Sequence, residues 1–97
     1  MATVRVQKQA AFFVKMVQRE RRRQDAKWGP QNHSLDEWGT ILAEEFGSFA
    51  KTVNNFRMSD TPAKNGECYL RVVEELTHTA AVAQAIYEQY FSPTLDS

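Results

Sequence analysis

Three breaks in this chain constrain how it can fold. Glycine and proline are scarce, and most of them fall at Gly29-Pro30, within the stretch 59–66, or at Pro93. Between these breaks, apolar residues recur every three or four positions, and no long segment alternates with period two. This spacing predicts long helices and no sheet.

The breaks divide the chain into three predicted helices. These are expected at about 3–27, from after Ser34 to about 57, and at about 67–91. Ser34 and Glu37 fit a capping box, Thr61-Pro62 suits an extra short turn before the third helix, and Asn65-Gly66 is taken as the start of that helix. Since short connections make successive helices antiparallel neighbours, we predict an all-α, antiparallel bundle of three long helices, with residues 1–97 forming one domain.

The small size of the chain favours self-association. It has 97 residues, of which 42% are hydrophobic. A domain of this size buries only about 60–65% of its unfolded surface, and each predicted helix carries a wide apolar face. We therefore expect oligomerisation, at least to a dimer, to complete the bundle.

Charge and cysteine content exclude some classes of protein. Twelve basic and twelve acidic residues give zero net charge, which argues against a nucleic-acid binder despite the basic run Arg21-Arg22-Arg23. The single cysteine, Cys68, is expected to be a small core residue. Since one cysteine allows no internal disulfide and no signal peptide or membrane span is visible, we expect a cytoplasmic protein without membrane contact.

Two glutamates do not fit a simple amphipathic pattern. On a helical wheel, Glu45 lies beside the apolar arc of the second helix, in which Trp38 is expected to be a core residue. Glu75 lies within the edge of the third helix's arc. The residues of that arc include Tyr69, Leu76 and Ala83. Their neighbours Glu44 and Glu74 point outward. Glu45 and Glu75 are similarly far from the loop that joins the two helices, so the sequence predicts that these two side chains meet.

Two facing carboxylates need a compensating partner. An unpaired buried carboxylate is costly, and two of them repel each other. A bound cation such as Mg²⁺, which takes oxygen ligands, would remove both problems. Alternatively, the two side chains reach the edge of the groove or pair with arginines. Glu44 and Glu74 would join a metal site only if the helices rotated or a second subunit approached.

Three segments of the chain have a characteristic order and spacing: Asp-Ala-Lys-Trp-Gly-Pro-Gln-Asn-His at 25–33, Ile-Leu-Ala-Glu-Glu-Phe-Gly at 41–47, and Val-Glu-Glu-Leu-Thr-His-Thr-Ala-Ala-Val-Ala at 73–83. Together they resemble the MazG-like family of all-α nucleoside triphosphate pyrophosphohydrolases. The resemblance covers about residues 19–90. It implies hydrolysis of a nucleoside triphosphate to the monophosphate and pyrophosphate, Mg²⁺ held by Glu-x-x-Glu and Glu-x-x-Asp motifs on two helices, and assembly as a homodimer or homotetramer.

Carried onto this chain, the metal motifs match only in part. Glu45 and Glu75 occupy the first position of each motif and are the expected metal ligands and catalytic residues. Ser48 and His78 stand where carboxylates are expected. We predict that His78 is a third ligand or a base that orients water. Because imidazole suits transition metals, Mn²⁺ or another divalent transition metal is an alternative to Mg²⁺.

The resemblance also suggests where a nucleotide would bind. The expected substrate-binding residues are Arg22, Arg23, Lys27, Trp28, Gln31 and Asn32. The cations would meet the triphosphate, and Trp28 would either stack on a base or fill a corner of the core. The polar residues 31–33 would contact the base or phosphate, or act only as turn and cap residues. A weakened enzyme, a non-catalytic nucleotide binder and a structural helical oligomer all remain open.

Overall fold

The computed structural model describes residues 4–58 and 62–91, and this part of the chain contains helices and no strand. Helix α1 spans Val4–Trp28, α2 spans Leu35–Met58, and α3 spans Pro62–Ile86. A π-helical turn, Tyr87–Phe91, continues α3. The prediction of an all-α chain with three long helices is confirmed.

Local sequence signals explain the boundaries of α1 and α2. Gly29 follows α1 with a φ of 69°, and its N–H donates to the Asp25 carbonyl at 2.8 Å. Glycine adopts this left-handed conformation without steric cost and so closes the helix. At the start of α2, the Glu37 N–H donates to Ser34 Oγ at 3.1 Å, and the Ser34 N–H donates to Glu37 Oε1 at 2.9 Å. These reciprocal bonds confirm the predicted capping box.

The third helix begins earlier than predicted and ends at the predicted residue, with its last turn π-helical. The helix begins at Pro62 and continues through Asn65-Gly66, so the expected extra turn is part of the helix itself. Proline is preorganised for the first helical position, and a helical glycine costs only about 1 kcal/mol. The α-helical hydrogen bonding ends at Ile86, and the predicted end at Phe91 is reached in π-helical form. The predicted break at Pro93 lies outside the described residues.

Helix α3 packs against both α1 and α2, and three of the five buried apolar side chains in the described segments lie on it. The buried apolar side chains are Val17, Trp38, Ala81, Val82 and Ala85. Trp38 forms a cluster with the last two, and Ile41, Leu42 and Ile86 pack around it. The expectation that Trp38 belongs to the core is confirmed.

The buried face of α3 differs from the face that periodicity predicted. Leu76, Ala83 and Tyr69 were expected within the apolar arc but are exposed. The buried stripe instead follows Ala81, Val82 and Ala85, because α3 contacts one helix on each side and small residues there allow close approach. None of the helices in the described segments combines the length and hydropathy that a membrane span requires.

Candidate metal centre

Helices α2 and α3 bring three ionisable side chains together. Glu45, Glu75 and His78 each offer one ligand atom, and these atoms all lie within 4.8 Å of one another. Glu75 and His78 are three residues apart and therefore share one face of α3. Thr79 Oγ1 donates to the Glu45 carbonyl at 3.4 Å, which places Glu45 opposite them on α2. We call these three residues the ligand cluster.

Helix α1 adds a fourth side chain that the sequence analysis missed. Glu20 is only 9% exposed, and its Oε2 lies 3.8 Å from His78 Nε2. Arg23 Nε donates to Glu20 Oε1 at 2.8 Å and Arg23 Nη2 to Oε2 at 2.7 Å. Glu20 lies three residues after buried Val17, so it continues the apolar stripe of α1, which is the signal that would have identified it.

The His78 ring lies between two carboxylates. Its Nδ1 is 3.8 Å from Glu75 Oε2, and its Nε2 is 3.8 Å from Glu20 Oε2. The two nitrogens of a neutral imidazole play different roles, one accepting or ligating and the other donating. Because Arg23 keeps Glu20 ionised, the Glu20 carboxylate is suited to accept a hydrogen bond from His78 Nε2–H. The Nδ1 side faces the ligand cluster.

The pKa values of two acids near His78, Glu20 and Glu45, shift in opposite directions. The hydrogen bonds from Arg23 lower the pKa of Glu20 despite its burial. Burial raises the pKa of Glu45; His78 opposes this effect, and the carboxylates of Glu75 and Glu20 reinforce it. Within residues 4–58 and 62–91, no hydrogen-bond donor reaches the carboxylate of Glu45 or Glu75.

This donor set suits a divalent cation. Two half-buried carboxylates without donors face each other beside an imidazole nitrogen, and a cation would remove the repulsion between them. Mg²⁺ is normally held by oxygen alone, whereas Mn²⁺ and Zn²⁺ also accept imidazole. The residues present therefore fit a divalent metal and favour a transition metal over Mg²⁺.

Glu45→Gln is expected to stabilise the metal-free protein slightly at neutral pH, by less than about 1 kcal/mol because solvent screens the site. The pKa of Glu45 in the folded state lies above its ordinary value of 4.5. The ionised side chain therefore costs stability at neutral pH, and that cost is removed as pH falls through the folded-state pKa. Urea unfolding in EDTA should show the variant more stable at neutral pH and similar to wild type below pH 4.5. A less stable variant at neutral pH would contradict this.

The other candidate ligands lie outside the cluster. Glu44 and Glu74 are exposed, and the structure does not bring them to Glu45 and Glu75. Ser48 is also exposed, and its carbonyl accepts a hydrogen bond from Thr52 Oγ1 at 2.8 Å. Ser48 and Glu75 line the same groove between α2 and α3, but Ser48 is not one of the three residues of the ligand cluster.

Two grooves meet at the ligand cluster. The first, which we call the connector groove, has a volume of about 380 Å³; its lining includes Arg23, Trp28, Gln31, Glu45 and His78. The second, the α2–α3 groove, has a volume of about 630 Å³; its lining includes Ser48, Lys51, Asn55, Arg71 and Glu75. Glu45 and His78 thus line the connector groove, and Glu75 lines the α2–α3 groove.

The structure separates the residues that were predicted to bind a nucleotide. Arg23, Trp28 and Gln31 line the connector groove, and Asn32 lines an adjoining cavity of about 350 Å³. Arg22 is exposed and lines neither of the two grooves. Lys27 Nζ lies 4.7 Å from the centre of the Trp28 ring. Trp28 is 51% exposed, so it does not fill the core.

Comparison of the chain with protein-family models, curated proteins and solved structures found no match. The MazG-like resemblance therefore stays a prediction from the sequence. A function has to be argued from the chemistry of the ligand cluster and of the two grooves that meet there.

Proposed function

We propose that this protein is a metal-dependent nucleoside triphosphate pyrophosphohydrolase. It would convert a ribo- or deoxyribonucleoside triphosphate to the monophosphate and pyrophosphate. The observation that carries the proposal is the convergence of Glu45, Glu75 and His78 where two grooves meet. The MazG-like segments of the sequence support the same reaction.

The ligand cluster would hold a divalent cation through Glu45, Glu75 and His78 Nδ1. The cation would neutralise phosphate charge and polarise a water molecule. Glu20 would accept a hydrogen bond from His78 Nε2–H and fix the orientation of the ring, as a carboxylate commonly does behind a ligating histidine. Arg23 keeps Glu20 ionised for this role.

Hydrolysis between the α- and β-phosphates requires a water to lose a proton as its oxygen bonds to phosphorus. Pyrophosphate leaves as that bond forms. A carboxylate beside the reacting water can take the proton. Glu45 suits this role because a carboxylate has two oxygens, and the one that does not hold the cation can take the proton.

We infer that α2 and α3 run antiparallel, which places the two halves of the cluster opposite each other. Contacts along α2 pair with successively earlier positions of α3 and its π-helical extension. Trp38 Nε1 donates to Gln89 Oε1, the Glu45 carbonyl accepts from Thr79, and the ring of Phe56 lies 6.4 Å from that of Tyr69.

We also propose that the protein is a homodimer or homotetramer. Phe12 and Val14 on α1, and Leu70 and Leu76 on α3, are exposed. Within the described residues no large side chain is fully buried. Association would cover these apolar side chains and add stability that so small a core does not supply. Light scattering of the purified protein should give at least twice the chain mass of 11.1 kDa; a monomer at micromolar concentration would contradict this.

The function is tested by measuring pyrophosphate and monophosphate from a panel of ribo- and deoxyribonucleoside triphosphates. Reactions contain Mg²⁺, Mn²⁺ or EDTA. Wild type is compared with Ser48→Glu, His78→Asp and the double variant, which restore the carboxylates of the family motif. Equal amounts of the two products, formed only with metal, are expected from wild type.

The main rival is a non-catalytic nucleotide binder. Ser48 lies outside the ligand cluster, so this chain supplies fewer acidic ligands than the family motif. If wild type is inactive and the double variant is active, the chain binds nucleotides without hydrolysing them. If all four proteins are inactive and no nucleotide raises the melting temperature, the pyrophosphohydrolase proposal is wrong.

A further inference from the structure

Of the cations at the end of α1 that the sequence analysis assigned to the triphosphate, only Arg23 lines the connector groove, and it is held by an acid. Arg23 forms two hydrogen bonds with Glu20. Lys27 Nζ lies over the Trp28 ring, and Arg22 lines neither groove. Among the described residues that line the connector groove, Arg23 is thus the one lysine or arginine, and Glu20 offsets its charge.

The α2–α3 groove has the opposite character. Lys51 and Arg71 line it and form no ion pair with any described residue. Glu67 also lines the groove but is not paired with Arg71 within the described segments. Ser48 and Asn55 add polar side chains to the same wall. Once a cation is bound at Glu75, this groove carries a clear positive excess.

The two cations lie close to the ligand cluster along their helices. Arg71 precedes Glu75 by four residues, which is one helical turn or about 6 Å along the axis of α3. Lys51 follows Ser48 by three residues on α2, and such residues share a helix face. Arg71 therefore stands about one turn beyond Glu75. Lys51, six residues or about 9 Å after Glu45, stands nearly two turns beyond it, and both cations lie on the side away from the connector groove.

The connector groove suits a nucleoside better than a phosphate chain. Trp28 is largely exposed, and a base can stack on its indole ring in place of the Lys27 ammonium group that lies over it. Gln31, half-buried in the same groove, offers an amide that both donates and accepts hydrogen bonds. Neither of these two side chains carries a positive charge.

We propose that the substrate lies across the ligand cluster with a fixed direction, its nucleoside in the connector groove and its β- and γ-phosphates in the α2–α3 groove against Lys51 and Arg71. This inference rests on the proposed function and specifies how that site binds its substrate. It reverses the assignment of phosphate binding to Arg22, Arg23 and Lys27. Pyrophosphate would leave through the α2–α3 groove.

Calorimetric titration tests this direction, with two probes that represent the two ends of the substrate. The probes are inorganic pyrophosphate and the four common nucleoside monophosphates, each with Mn²⁺. The proteins are wild type, Lys51→Gln, Arg71→Gln, Glu67→Gln and Arg22→Gln, with Lys15→Gln as a control for the loss of one exposed positive charge. Far-UV circular dichroism confirms that each variant is helical.

Lys51→Gln and Arg71→Gln should each weaken pyrophosphate binding by about tenfold or more, because contacts between a cation and phosphate are strong. Their monophosphate affinity should change by less than about threefold, which is under about 1 kcal/mol. A monophosphate lacks the β- and γ-phosphates that would contact Lys51 and Arg71. Glu67→Gln should tighten pyrophosphate binding by removing a negative charge. Arg22→Gln and Lys15→Gln should behave like wild type.

Two results would overturn the inference alone while leaving the proposed function intact. The first is pyrophosphate binding that survives both Lys51→Gln and Arg71→Gln. The second is pyrophosphate binding lost in Arg22→Gln instead, which would reverse the direction of the substrate. If wild type binds neither pyrophosphate nor any monophosphate with metal, the proposed function fails and this inference fails with it.

Discussion

Trp38→Ala is expected to lower the free energy of unfolding by about 3–5 kcal/mol, the usual cost of removing a buried aromatic side chain. Trp38 is 3% exposed and packs against Val82 and Ala85. Its Nε1–H also donates to Gln89 Oε1 at 2.6 Å. The substitution removes both the packing and this hydrogen bond. It therefore loosens the attachment of α2 to the end of α3.

For a chain of this length, such a loss corresponds to a fall of roughly 12–40 °C in melting temperature. Thermal unfolding followed by far-UV circular dichroism measures it. The matched control is Trp28→Ala, which removes the other tryptophan, 51% exposed beside Gly29. We expect the control to change the melting temperature by only a few degrees. Equal losses in the two variants would show that Trp38 is not the centre of the core.

The second large effect concerns metal binding. A metal that binds only the folded state, at about 100 times its dissociation constant, stabilises a protein by about 2.7 kcal/mol. For this chain that corresponds to a rise of roughly 10–20 °C in melting temperature. Mn²⁺ should produce this rise, Mg²⁺ a smaller one, and EDTA should reverse both. The reason is that Glu45 and Glu75 repel each other until a cation lies between them.

A matched pair of variants ties this stabilisation to the ligand cluster. Glu75→Gln removes a ligand, whereas Glu74→Gln makes the same chemical change at the exposed neighbouring residue. The Mn²⁺-dependent rise should be mostly lost in Glu75→Gln and retained in Glu74→Gln. A rise of equal size in both variants would place the metal elsewhere on the protein.

Local signals in the sequence predict much of this fold. The scarcity of glycine and proline, together with three- and four-residue spacing, indicates three helices. The Ser34–Glu37 capping box is a contact within four residues, so it can be read from the sequence alone. The start of α3 could not be read from the sequence alone, because proline is compatible both with a separate turn and with the first residue of a continuous helix.

Contacts between helices were harder to predict. Glu45 and Glu75 were expected to meet because each has an inward position relative to an apolar arc, and the structure brings them together. The place of Glu20 on the apolar stripe of α1 marks it as inward-facing, but its closeness to His78 depends on how α1 packs against α3, which the stripe does not reveal. The pairing of Arg23 with Glu20, in contrast, is an i,i+3 contact within α1, a spacing that the sequence shows.

Pyrophosphate release from the best nucleotide substrate, with Mn²⁺, tests the central claim most directly when wild type is compared with Glu75→Gln and Glu74→Gln. We expect Glu75→Gln to reduce the rate by about 100-fold or more, as the loss of a group that stabilises charge in a reaction site usually does. Glu74→Gln should retain the wild-type rate within about twofold, since surface substitutions rarely perturb a distant site. Undiminished release by Glu75→Gln, or an equal loss in both variants, would contradict a metal centre at Glu45, Glu75 and His78.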